Sequence, residues 1–130
     1  MDRDGTYLGV FLSDKNGPKW QAWRAMSAAE QQARAELGLA ELEKWEAQHA
    51  EAIVYGGGPL GRTRSATPKS ITDTVNQMTV FIVVRAPSLE AAAALLMDNP
   101  HMTIFTCHAV EVMPILGADK DDEGRPKPQG

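Results

Sequence analysis

The sequence has 130 residues, 43% of them hydrophobic, and a net charge of −4. This length fits one domain with its own core, and the mild acidity argues against a general nucleic-acid surface. The single cysteine, Cys107, excludes an intrachain disulfide and favours a reducing compartment. Because no apolar run is long enough to span a bilayer and the N-terminus does not resemble a signal peptide, we expect a cytoplasmic protein without a membrane partner.

The first half of the chain predicts a strand followed by a long helical region. Residues 6–12 carry apolar side chains on both alternating sets, which is typical of a strand covered on both faces. The strand ends at the Lys-Asn-Gly-Pro sequence of residues 15–18. Ser27 and Glu30 have the spacing of a capping box, and Gly38 either divides the helical region behind them or kinks it.

The second half of the chain predicts three strands and one helix, and then a tail. In chain order these are a short strand at 52–55, a polar loop or extended edge at 62–74, the strongest strand at 78–85, a helix capped by Ser88 that ends at Asn99-Pro100, and a last strand at 110–115. The charged residues 117–130, rich in Gly and Pro, predict a disordered tail. We therefore expect one domain over residues 1–116.

The order of elements, β-α-β-β-α-β, predicts an α+β fold of the ferredoxin-like kind. Such a chain packs two helices on one face of a four-stranded antiparallel sheet, with the first and third strands at its centre. The other face has no helix to cover it, although the strands are apolar on both sides. An uncovered apolar face indicates an interface, and we expect two copies of the chain to pair through it as a homodimer.

Several segments of the chain resemble the YCII-related family of the dimeric α+β barrel superfamily. They are Gly58-Pro59-Leu60-Gly61, the helix opening APSLEAA at 86–92, Asn99-Pro100-His101, and VEVMPI at 110–115. The resemblance covers residues 6–116 and implies a ferredoxin-like subunit whose sheet meets that of a partner subunit face to face. Some members of the family carry a His–Asp pair. Asp73 is the counterpart of the Asp, whereas Glu41 stands near the position of the His.

Two further patterns indicate neither a cofactor nor a metal. Residues 56–61 match G-x-G-x-x-G, but no helical periodicity follows them and Pro59 lacks a backbone N–H, so a turn or strand end is favoured over a nucleotide site. Cys107 and His108 are adjacent, and neighbouring side chains of a strand point to opposite faces. We expect no metal site, and a small, partly buried thiol at Cys107.

Three residues are candidates for catalysis, and three for contact with a ligand. The catalytic candidates are Asp73, His101 and His49, and the ligand-binding candidates are Tyr7, Trp45 and Arg64. A histidine oriented by a carboxylate supplies a base at neutral pH. Because Asp73 precedes the strongest strand and His101 follows the second helix, we expect both near one end of the sheet. His49, which shares a helical face with Trp45, is the alternative base or a core residue.

The sequence leaves two classes of function open. In one, the protein is an enzyme that performs acid/base chemistry on a small organic substrate in a cavity of the dimer. In the other, it is a non-catalytic ligand-binding or interaction module whose histidines are structural. Trp20 and Trp23 either form a lid over such a cavity or pack a loop against the domain edge. Arg62 and Arg64 are candidates for contact with an anionic ligand.

Overall fold

The structure, a computed structural model, describes residues 4–117. Its elements are β1 (Gly5–Leu12), α1 (Pro18–Ala25), α2 (Ala28–Gln48), β2 (Ile53–Pro59), β3 (Thr63–Ala66), β4 (Ile71–Thr74), β5 (Met78–Ala86), α3 (Leu89–Leu96), α4 (Pro100–Thr103) and β6 (Ala109–Pro114). The predicted tail lies outside the described residues from position 118 onward. None of the helices in the described range is long and apolar enough to cross a membrane.

The main sheet has four antiparallel strands in the order β2-β5-β1-β6. Tyr7 of β1 lies opposite Val84 of β5 on one side and opposite Pro114 of β6 on the other. The first strand and the strongest strand are therefore the central pair. This arrangement confirms the α+β class and the order of strands predicted from the sequence.

The core lies between one face of this sheet and the helices α2 and α3. It contains Tyr7, Phe11, Trp45, Val80, Ile82, Val84, Ala86, Ala92, Leu96 and Cys107. Gly9 of β1 belongs to the same face, where a Cβ would lie 2.6 Å from Leu96 Cδ1. The missing side chain lets α3 pack closely against the centre of the sheet.

Helix α2 is continuous through Gly38, so the prediction that Gly38 separates two helices is wrong. The capping box at its start is confirmed: Glu30 N donates to Ser27 Oγ at 3.1 Å, and Ser27 N donates to Glu30 Oε1 at 2.8 Å. The hydrogen bonds that the Glu30 carboxylate accepts from the backbone and from the side chain of Ser27 lower the pKa of Glu30. Gly38 is buried because the Phe105 ring occupies the space that its Cβ would take. The absence of a side chain at Gly38 therefore lets α2 pack closely against the segment that follows α4.

Strand β2 contains the glycine-rich run of residues 56–58. Its pairing with β5 is irregular between Tyr55 and Gly58, and Gly57 has a positive φ of 69°. A Cβ at Gly57 would overlap the Phe81 carbonyl oxygen. These glycines form a bulge within β2 at the sheet edge, where the sequence predicts a turn or strand end, and the next element is the strand β3.

Residues 61–76 form a projecting hairpin, here called the arm, where the sequence predicts a loop or extended edge. Strands β3 and β4 pair only with each other, with Thr63 opposite Thr74 and Ala66 opposite Ile71. The turn between them is closed by Thr67 N donating to the Ser70 carbonyl at 2.8 Å. The arm leaves the body at the end of the sheet where β2 ends and β5 begins.

The second face of the main sheet, here called the helix-free face, is apolar. It consists of the side chains of Leu8, Val10, Leu12, Tyr55, Phe81, Val83 and Met113, with Arg85 and Glu111 among them. Tyr55 and Phe81 are in contact, with ring centroids 5.7 Å apart, yet Tyr55 stays 59% exposed. Val10, at the centre of this face, is 8% exposed, whereas Tyr55 and Met113 on its two edge strands are exposed.

Candidate functional site

A cleft of about 640 Å³ lies at the end of the sheet where β1 ends and β5 begins. Ser13 N donates to the Gln77 carbonyl at 2.9 Å and so holds the two strand ends together. One wall is the loop between β1 and α1, and the other is the base of the arm. The lining residues are Ser13, Asp14, Lys15, Asn16 and Trp20 on the first wall, Leu60, Gly61, Arg62, Thr63, Thr74, Val75 and Asn76 on the second, and Gln77, Met78 and Thr79 between them.

The first wall is held in place by Ser13 and Trp20. Ser13 is buried, and its hydroxyl donates to the Thr106 carbonyl at 3.2 Å while accepting from the Trp20 indole N–H. Gly17 and Pro18 start α1 directly after this loop, and proline suits the first turn of a helix. The short helix thus holds the Trp20 ring against the cleft, with the Arg24 guanidinium 5.8 Å from its centre.

The second wall presents hydroxyl and amide groups. Asn76 Nδ2 donates to Thr63 Oγ1 at 3.1 Å, and Asn76 Oδ1 accepts from Met78 N at 2.9 Å. Thr74 lies opposite Thr63 on the same side of the arm. The wall therefore offers side chains that both donate and accept hydrogen bonds, which suits a ligand with several oxygen atoms.

The charged groups of the cleft have a positive excess. Lys15 and Arg62 supply cations, and Asp14 supplies a carboxylate that accepts from Asn16 N at 2.9 Å. Arg62 also donates to Asp73 Oδ1 at 2.9 Å, outside the lining. No histidine or cysteine lines this cleft. Its chemistry is that of binding through hydrogen bonds, an aromatic face and positive charge.

Asp73 lies on the arm, near the cleft but not in its lining. Its carboxylate forms ion pairs with Arg62 at 2.9 Å and with Arg64 at 3.3 Å, and all three side chains are more than half exposed. Arg64 is thus one of the two arginines that hold Asp73, and these contacts pair Asp73 with arginines and not with a histidine.

His101 lies at the same end of the sheet but on the helix side. It is the second residue of α4, where its backbone N–H donates to the capping Asn99 Oδ1 at 2.9 Å. Its ring packs 5.2 Å from the ring of Phe11 and 6.0 Å from that of Phe105. Burial lowers the pKa of His101 below its usual 6.5, so the imidazole is neutral at neutral pH.

The other three candidates belong to the core or its border. Tyr7 is fully buried on the helix-covered face of the sheet, away from the cleft. Trp45 is 4% exposed and donates its indole N–H to Asp98 Oδ1 at 3.0 Å. His49 caps α2, with its ring centroid 4.5 Å from that of Trp45. The packing role that the sequence left open for His49 is the one that this contact favours.

Cys107 is buried, and burial raises its pKa to about 11, so its thiol is protonated at neutral pH. The charge of Lys19 opposes this shift in part. No group of three His, Cys, Asp or Glu side chains in residues 4–117 could hold a metal ion. A smaller cleft of about 240 Å³ lies beside the start of α1 and includes Lys19 and His108.

Sequence reasoning missed most of the cleft. The sequence did not indicate Ser13, Lys15 or Asn76 as candidates. Each lies in a polar segment, and the residues that come close to it in space are determined by the pairing of strands that are distant in sequence. A signal did exist in Trp20, an aromatic residue two positions after the Gly-Pro break. Trp20 lines the cleft and also packs the β1–α1 loop through its bond to Ser13, so it has features of both roles left open for it.

No protein-family model matches the sequence, and no curated protein matches it either. Among solved structures, the chain is similar to 5-chloro-2-hydroxyhydroquinone dehydrochlorinase (TftG) from Burkholderia phenoliruptrix AC1100, in complex with 2,5-dihydroxybenzoquinone. The two chains are 15% identical and superpose with a TM-score of 0.50, and the match covers 91% of this chain and 97% of that one. At this identity the likeness shows the fold alone, an α+β fold with a four-stranded antiparallel sheet as predicted from the sequence.

Proposed function

We propose that the protein binds a small, acidic, oxygen-bearing organic ring in the cleft between the β1–α1 loop and the arm. The observation that carries the proposal is the lining of that cleft: an indole ring, hydroxyl and amide groups, and the two cations Lys15 and Arg62. Pockets for small organic molecules combine such aromatic surface with a few polar groups that fix orientation.

The size of the cleft and the known neighbour support this ligand class. A cleft of about 640 Å³ falls in the range of small-molecule sites. The dehydrochlorinase, which has the same fold, holds 2,5-dihydroxybenzoquinone, a flat ring with four oxygens. The excess of positive charge in the cleft favours the ionised form of such an acidic ring.

The test is binding of 2,5-dihydroxybenzoquinone, measured by isothermal titration calorimetry with hydroquinone as a neutral ring of similar size. We expect the acidic ring to bind more tightly. Trp20→Ala removes aromatic contact from the cleft and should raise Kd about tenfold, a loss of roughly 1.4 kcal/mol. Trp23→Ala is the matched control, because Trp23 lies on the same helix but does not line the cleft.

Two outcomes would count against the proposal. If Trp20→Ala and Trp23→Ala bind the acidic ring as the unmodified protein does, the ligand does not occupy this cleft. If hydroquinone binds as tightly as 2,5-dihydroxybenzoquinone, or Lys15→Met leaves the affinity unchanged, the charge of the cleft does not select an acid.

We also propose that two copies of the chain pair through their helix-free faces. The support is the apolar character of that face and the exposure of Tyr55 and Met113, 59% and 39%. An exposed apolar patch of this kind on a small domain is normally an interface. Pairing of this kind also agrees with the resemblance to the YCII-related family, to which we propose the chain is related.

Binding without catalysis is the role we favour over proton transfer. A catalytic pair made of Asp73 and a histidine has no support. Asp73 forms ion pairs with two arginines, and the ring of His101 packs against phenylalanine rings. Of the groups in the cleft, the Asp14 carboxylate is the one that could accept a proton from a ligand. A reaction would therefore depend on Asp14, and loss of turnover without loss of binding in Asp14→Asn would favour an enzyme.

A further inference from the structure

We propose that the arm clasps the second copy of the chain in the pair. The inference rests on the pairing proposed above and adds to it an element, the hairpin of β3 and β4, whose packing partner is missing within one subunit. Its support comes from the exposure of the arm, the division of its side chains between two sides, the area of the helix-free face and the charge of the arm.

The arm has almost no packing against its own subunit. Every residue from 64 to 76 is exposed, and Thr63 at the base is half-buried. The side-chain bonds of the arm are internal, such as those from Arg62 to Asp73 and from Asn76 to Thr63. A two-stranded hairpin without packing is marginally stable in water. Its formation indicates that another surface supports it.

The two sides of the arm differ in chemistry. Pairing puts Thr63, Ser65, Thr72 and Thr74 on one side, and Arg64, Ala66, Ile71 and Asp73 on the other. The hydroxyl side borders the cleft, where Thr63 and Thr74 belong to the lining. The second side carries Ile71, 64% exposed, beside a mutually neutralised ion pair. This side is the one suited to pack against protein.

The helix-free face is limited in extent. Four strands about 4.8 Å apart and about 20 Å long cover roughly 400 Å² in projection. If the arm of each subunit lies on the partner subunit, the two arms add buried area to the interface, one contribution from each copy.

The charge of the arm complements the rest of the chain. Arg62, Arg64 and Lys69 outweigh Asp73, so the arm carries a charge of +2, whereas the whole chain carries −4. A second copy carries the same net negative charge, so the overall charge of the two copies favours the approach of the arm.

The test compares Ile71→Ser with Leu39→Ser by analytical ultracentrifugation over a range of protein concentrations. Ile71 and Leu39 are similarly exposed in one subunit, 64% and 61%, but Leu39 lies on α2. Since each pair contains two arms, the loss at Ile71 counts twice. We expect the dimer Kd to rise tenfold or more for Ile71→Ser and to stay within twofold for Leu39→Ser.

Hydrogen exchange of the arm amides gives a second measurement that does not depend on a variant. In a clasped pair, the amides of β3 and β4 exchange more slowly above the dimer Kd than below it. If the protein is a dimer but the arm amides exchange equally at both concentrations, or Ile71→Ser leaves Kd unchanged, the clasp is overturned and the pairing stands. If the unmodified protein is a monomer at all concentrations, the pairing itself fails.

Discussion

His101 is a histidine that the fold keeps neutral. Its ring lies between the rings of Phe11 and Phe105, where a positive charge would be poorly solvated, and burial lowers its pKa. Its chemical role is therefore decided by the aromatic residues around it. The sequence showed only its position after Asn99-Pro100, which is compatible with a base, a ligand contact or a core residue.

This environment predicts a pH dependence of stability. The unfolded chain takes up a proton at His101 near pH 6.5, whereas the folded chain resists it, so stability is full above that pH and is lost as the pH falls toward the lowered pKa. We expect the free energy of unfolding, measured in urea, to fall between pH 7 and pH 5.5 by at most about 1.4 kcal/mol per pH unit from this group.

His101→Asn should flatten this slope, and His108→Asn should leave it unchanged, because His108 is exposed. Equal slopes for the unmodified protein and His101→Asn would mean that the imidazole is not desolvated in the folded state.

Helix α2 shows how one contact overrides the propensity of a residue. Glycine disfavours a helix interior by about 1 kcal/mol relative to alanine, and this cost is the basis for expecting a break at Gly38. The structure instead uses the missing side chain to admit the Phe105 ring. That contact joins residues far apart in the chain, so no local pattern could have revealed it.

A double-mutant cycle measures this contact. Gly38→Ala alone should destabilise the protein by about 1 kcal/mol or more, because the overlap with the Phe105 ring outweighs the gain in helix propensity. In the background of Phe105→Leu, the same change should be neutral or stabilise by up to about 1 kcal/mol. Stabilisation by Gly38→Ala in the unmodified background would show that the ring moves aside at no cost.

The sequence predicts the arm only as a loop or extended edge. Strands are recognised by alternation of apolar with polar residues, but both sides of the arm are largely polar, with hydroxyls on one and an ion pair on the other. By contrast, three strands of the main sheet have clear apolar sets and were predicted within one residue of their observed bounds, whereas β2 continues to Pro59, beyond its predicted end at residue 55. The capping residues Ser27 and Ser88 likewise act locally and were found from the sequence.

At the scale of the whole molecule, the sheet divides the chain into a covered side and an uncovered one. Both faces could be predicted, because alternation in β1 and β5 is visible in the sequence. The cleft could be predicted only as a region at one end of the sheet. Its walls depend on the path of the arm and on the bond between Ser13 and Gln77, which joins distant segments.

If two copies of the chain pair through the uncovered side, a charged side chain introduced at the centre of that side should prevent the pairing. Val83 lies on the helix-free face, opposite Leu8 of β1. We expect the unmodified protein to be a dimer by light scattering at micromolar concentration and Val83→Asp to be a monomer, because an unpaired carboxylate in a closed interface is costly. Leu39→Asp, on exposed α2, is the control and should stay dimeric. A dimeric, folded Val83→Asp would exclude this face as the interface.

The burial of Cys107 makes it possible to attach a label to the arm selectively and so to observe the contacts of the arm in solution. As the one cysteine of the chain, 1% exposed and with a pKa near 11, it leaves the folded protein without a reactive thiol at neutral pH. A cysteine introduced at an exposed position such as Ser65 would therefore accept a spin label or fluorophore selectively. The distance between two such labels would follow the arms in solution without any other change to the chain.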